Sequence, residues 1–85
     1  MDRLALFEKA LVEVEKLQCT YPSVQTLNSI QNQIKYLRSL ASGESNDRSR
    51  LGEIILGVQA AREIESLNQQ LAELLYEVDE QAGQM

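Results

Sequence analysis

The sequence predicts an all-α fold, a small antiparallel bundle of about four helices that spans residues 1–85 as one domain. Three observations carry that expectation. Apolar residues recur at three- and four-residue steps in four separate stretches, which places them on one face of a helix. One Pro and four Gly among 85 residues leave few breaks for a turn-rich β fold. Hydrophobic residues make up 44% and charged residues 25%, the balance of a globular chain. Cys19 is the single cysteine, so no internal disulfide adds to the about 4–13 kcal/mol of stability expected at this length.

The first helix is capped by Asp2 and runs to about Gln18, with Leu4, Phe7, Leu11, Val14 and Leu17 along its inner face. Leu6, Ala10 and Val12 widen that stripe. Pro22 then breaks the chain by disfavouring helical geometry at Tyr21. A second helix starts near Pro22 or Ser23 and ends near Leu40, with Leu27, Ile30, Ile34 and Leu37 inward. Its other face carries Gln25, Asn28, Gln31, Asn32 and Gln33, amides that either solvate the helix or bind a partner without charge.

Residues 41–47 read as a loop in which Gly43 ends the second helix and Asp47 caps the third. The third helix covers about residues 48–65, with Leu51, Ile54, Ile55, Val58, Ala61 and Ile64 inward. Leu56, Gly57 and Ala60 leave little of its middle polar, so it is expected to be the most buried helix. Gly57 inside a helix costs about 1 kcal/mol relative to Ala and implies close approach by a neighbouring backbone. The fourth helix begins at Ser66 or Leu67, where Ser66 caps it or bends a continuous helix, and runs to Gln81. Its stripe is Leu67, Leu71, Leu74, Leu75 and Val78, and Glu73, Glu77, Asp79 and Glu80 make its end acidic.

The residue inventory argues against an enzyme. There is no histidine, which removes the commonest general base and metal ligand together. A lone Cys19 without His suits neither nucleophile nor zinc site, and no Gly-rich stretch resembles a phosphate cradle. No cofactor or metal is expected. The net charge of −5, with eight scattered Lys and Arg, does not make a nucleic-acid surface. It serves solubility or a basic protein partner. The N-terminus MDRLALFEKA is not a signal peptide, and no apolar run approaches the ~20 residues of a membrane span. A cytoplasmic location is therefore expected.

A family resemblance follows from an ordered set of elements. Tyr21-Pro22 is followed by Gln33-Ile34-Lys35-Tyr36-Leu37-Arg38, then Asp47-Arg48-Ser49 leading into Leu51, then Leu56-Gly57, Ala60 and Arg62-Glu63. In this order and spacing, over about residues 20–75, the chain resembles the small helical immunity proteins of type VI secretion systems. The C-terminal part departs most. The best-known members neutralise an effector toxin that hydrolyses NAD and NADP. The resemblance implies a protein that binds a cognate toxin in the cytoplasm and occludes its nucleotide pocket without chemistry of its own. The acidic balance suits a toxin whose nucleotide site is electropositive.

Partner-binding candidates are Asp47, Arg48 and Ser49 at the loop-to-helix junction, Tyr36 beside the Leu37 stripe, the Arg62-Glu63 pair, and Glu73 and Glu77. Structural roles compete with binding for each. Asp47 to Ser49 can cap a helix and form a local ion pair, and Arg62 and Glu63 can pair across helices. Two other functions stay open: a structural helical oligomer or adaptor, and immunity against a different nucleotide-consuming toxin. Homodimerisation through an apolar helix face also stays open.

Overall fold

In the computed structural model, which describes residues 2–85, α1 spans Arg3–Thr20 and α2 spans Gln25–Ser42. Asp2 caps α1, its Oδ1 accepting from Ala5 N at 2.7 Å. The chain then turns through Tyr21-Pro22-Ser23-Val24, with Val24 N donating to Tyr21 O at 3.2 Å. So short a connection makes α1 and α2 an antiparallel hairpin. Gly43 ends α2 as expected, in the left-handed region at φ 85°, which Gly adopts without a Cβ penalty.

The third segment departs from expectation. In place of one helix over 48–65 there is a loop, a 3-10 turn at Leu51–Glu53, a short helix α3 at Leu56–Gln59, and a π-helical turn at Ala60–Ile64. Side chains of α2 explain the break. Tyr36 Oη accepts from Arg50 N at 3.2 Å, and Gln33 Oε1 accepts from Ile55 N at 2.8 Å. Both amides are thereby held outside a helical ladder, and Ile54 is extended at φ −73°, ψ 121°. Asp47 accordingly caps no helix; its Oδ1 accepts from Ser49 N at 3.0 Å within the loop. In the π turn Glu65 N donates to Ala60 O at 3.0 Å, one residue further back than an α-helix would reach.

The register changes accordingly. Leu56, Ala60 and Ile64 are buried, but Ile55 (49%) and Val58 (53%) are among the most exposed large apolar residues, and Ala61 is exposed too. The third segment is therefore not the most buried. Gly57 does meet a close neighbour, but it is a side chain and not a backbone. A Cβ there would lie 3.0 Å from Asp79 Oδ2.

The final helix, α4, spans Gln69–Gly83. Its cap is Asn68, whose Oδ1 accepts from Leu71 N at 3.0 Å, and not Ser66. Arg3 Nε donates to Gln81 Oε1 at 3.1 Å, so the start of α1 lies beside the end of α4 and the two run antiparallel. All the elements share one core, in which Phe7, Val14, Leu27, Ile30, Ile34, Leu37, Leu56, Ile64, Leu75 and Val78 are fully buried. Each such large side chain contributes about 1.5–3 kcal/mol. Among the described residues no polar or charged residue is buried, so polar groups act only at the surface.

Candidate functional site

The predicted binding residues fall into three places. Tyr36 joins the loop residues. Its ring is half-buried against the core, and its hydroxyl donates to Asp47 O at 2.6 Å while accepting from Arg50 N. The Arg50 guanidinium lies 5.6 Å from the ring centroid, a cation–π arrangement. Arg48 Nη1 donates to the main-chain oxygen of Met85 at 2.5 Å, tying the loop to the end of α4. Asp47, Arg48 and Ser49 are exposed on this tethered loop. The Ser49 side chain first, and its backbone amide second, hold the Asp47 carboxyl below the usual carboxylate range. Beside the loop a cavity of about 150 Å³ is lined by Ser29, Gln33, Tyr36, Arg50, Glu53, Ile54 and Ile55.

Arg62 and Glu63 lie apart, on the exposed side of the π turn. They do not form an ion pair across helices: Glu63 Oε2 accepts from the Thr26 hydroxyl at the start of α2. The ion pairs among the described residues are Lys16–Glu13 and Arg50–Glu53.

Glu73 and Glu77 occupy the third place, a groove of about 390 Å³ between α1 and α4. Leu71 and Leu74 contribute its apolar lining, and Lys9, Glu13, Asn68 and Gln70 complete it.

On the amide face of α2, Asn28, Gln31 and Gln33 bond to neighbouring elements, while Gln25, Asn28 and Asn32 stay exposed. Gln33 Nε2 donates to Gln59 Oε1 at 2.7 Å, and Gln59 Nε2 to Ser29 Oγ at 3.1 Å, joining α2 to α3. Gln18 Nε2 donates to Asn28 Oδ1 at 2.9 Å and to Gln31 Oε1 at 3.2 Å, joining α1 to α2.

Arg50 and Tyr76 were not singled out in the sequence. Arg50 meets Tyr36 through its amide and through its guanidinium over the ring, a contact 14 residues apart that periodicity does not report. Tyr76 is 37% exposed, and its hydroxyl donates to Glu65 Oε2 at 2.6 Å. That bond to a carboxylate pushes the phenol above its ordinary range. An aromatic among acids in the last helical stretch was the available signal.

Among the described residues no helix is long and apolar enough to cross a membrane. The predicted residues thus lie at three separated places on the surface: the tethered loop, the π turn and the α4 groove.

Comparison with known proteins agrees in sequence and in fold. A curated relative, the immune protein Tsi6 of Pseudomonas aeruginosa, is 31% identical over 75 residues, covering 88% of this chain and 80% of the relative. The solved structure of Tsi6 from Pseudomonas aeruginosa superposes with a TM-score of 0.88 at 28% identity, covering 96% of this chain and 95% of that one. The Tsi6 family model matches residues 3–84, from the first residue of α1 to just past the end of α4, and the chain belongs to the Tsi6 family of immunity proteins.

Proposed function

We propose that this immunity protein binds an NAD(P)+ glycohydrolase effector toxin of a type VI secretion system in the cytoplasm of the cell it protects, and occludes the toxin's nucleotide pocket. The match to the immunity family along nearly the whole chain carries this reading. Inhibition by contact asks nothing catalytic of the chain. It asks for a rigid surface, because order already present before binding lowers the entropic cost of association. Tyr36 and the Arg48–Met85 bond supply that order in the loop bearing Asp47, Arg48 and Ser49. Glu73 and Glu77 supply negative charge on α4, and Arg62 and Glu63 lie on the intervening π turn. The net charge of −5 favours fast capture of a toxin whose pocket must attract a pyrophosphate.

Co-expression with the toxin encoded beside it tests the reading. Cells carrying both proteins keep their NAD, and the two co-elute as a 1:1 complex. Drained NAD with no complex refutes it. Drain of a different nucleotide, prevented by this chain, keeps immunity but changes the toxin's chemistry. A mass that rises with concentration in the absence of toxin would favour the oligomer or adaptor instead.

A further inference from the structure

Residues 47–55 are joined to the bundle in a different way from the helices. Ser29, Gln33 and Tyr36 lie at i, i+4 and i+7 on α2, one line along the helix beside the buried Ile30, Ile34 and Leu37. Two members of that line hold the segment. The Tyr36 hydroxyl donates to Asp47 O at 2.6 Å and accepts from Arg50 N at 3.2 Å. Gln33 Oε1 accepts from Ile55 N at 2.8 Å. The third member aims Gln33. Gln33 Nε2 donates to Gln59 Oε1 at 2.7 Å, and Gln59 Nε2 donates to Ser29 Oγ at 3.1 Å, which turns the Gln33 oxygen towards Ile55.

Packing adds little over the same length. None of residues 47–55 is fully buried; Leu51 and Ile54 are partly so. The cavity of about 150 Å³ has Ser29, Gln33 and Tyr36 on one wall and Arg50, Ile54 and Ile55 on the other. Hydrogen bonds therefore bridge this seam, and side chains do not fill it. The tie from Arg48 Nη1 to Met85 O is a surface bond as well. Bonds within reach of water contribute little net, and a segment held by them opens without the rest of the fold.

Both ends are firmer. Ser45 N donates to Ser39 O just beyond Gly43, and Leu56 is fully buried at the start of α3. A Cβ at Gly57 would meet Asp79 of α4, so α3 sits close against that helix.

We infer that residues 47–55 form a strap with two buckles, Tyr36 and Gln33, which releases from α2 and refastens as one unit while α1, α2 and α4 stay packed. Asp47, Arg48 and Ser49 ride on this strap. A partner that reads them in their fastened arrangement binds that state alone, so Tyr36 and Gln33 are positioning residues that set its population.

Hydrogen exchange on the full chain, measured along a series of low denaturant concentrations, tests the inference. The amides of Arg50, Glu53, Ile54 and Ile55 are expected to converge on one opening reaction, easier than the opening that exposes the amides of Ile30 and Ile34. Tyr36→Phe keeps the ring and removes the hydroxyl. It is expected to quicken exchange about threefold to tenfold at Arg50, and by the same factor at Glu53 and Ile55, which that hydroxyl does not touch. Gln33→Ala is the reciprocal variant and is expected to quicken Arg50 together with Ile55. Circular dichroism establishes that each variant is folded. Quickening confined to the amide that each variant unbonds overturns the inference. If a variant does not fold, the denaturant series on the natural chain decides: strap amides that open only together with Ile30 and Ile34 overturn it too.

Discussion

The α1–α2 hairpin and the segment 43–68 carry the same three- and four-residue apolar spacing, yet only the hairpin is regular helix. In the hairpin, Phe7, Leu11, Val14 and Leu17 and Leu27, Ile30, Ile34 and Leu37 are buried as expected, while Val12, expected to widen the first stripe, faces solvent at 51% exposure. In the later segment, hydrogen bonds from Tyr36 and Gln33 take the amides of Arg50 and Ile55, and the periodic pattern yields to them. Spacing therefore decides structure where local hydrogen bonds and burial agree. It loses where a side chain from another element offers a backbone amide a better partner.

The comparison can be broken most strongly in the hairpin. Leu27→Ala removes a fully buried side chain and is expected to cost about 2–5 kcal/mol in denaturant unfolding. Val58→Ala in the irregular segment, where the side chain is exposed, should stay within about 0.5 kcal/mol, although the sequence pattern placed both residues inward. Equal losses would mean the two segments share one helical register after all.

A second test sharpens the cause of the irregularity. Gln33→Ala removes the acceptor of Ile55 N and the donor to Gln59. An expected loss of about 1–3 kcal/mol should appear with faster hydrogen exchange at Ile55. Unchanged exchange there would remove Gln33 as the cause of the break.

The start of α4 gives a smaller contrast. Asn68→Ala should cost about 1 kcal/mol because Leu71 N loses its cap, and Ser66→Ala should cost no more than a few tenths. Thermal unfolding of the two variants separates the cap the structure uses from the one the spacing suggested.

The smallest effect is a pH dependence in the loop. The Asp47 carboxyl is held below its ordinary range by its hydrogen bonds from Ser49. Its contribution is complete above the usual carboxylate range and is lost as the pH falls through the lowered value. Amide exchange at Ser49 should quicken on that acidification, and Asp47→Asn should abolish the pH step.

The candidate surface was legible to a similar degree as the fold. Tyr36, Glu73 and Glu77 follow from residue type and helical position, and the structure places the first under the loop and the other two along one groove. Tyr76 becomes notable only once Glu65 is brought against it from another element. Arg50 and Gln33 matter through contacts 14 and 22 residues away in sequence, which no window of periodicity contains.

By itself the sequence determined the all-α class, the α1 and α2 helices to within two or three residues, the glycine stop at Gly43 and the buried stripes of α1, α2 and α4. These depend on local propensity, caps and the 3.6-residue period, all of which are written along the chain. The tertiary structure alone decided the broken third segment, the π turn, the use of Asn68 as a cap and the company of Tyr76. In each the outcome turns on which polar group a backbone amide or side chain meets across the bundle, and that meeting exists only after the elements have packed.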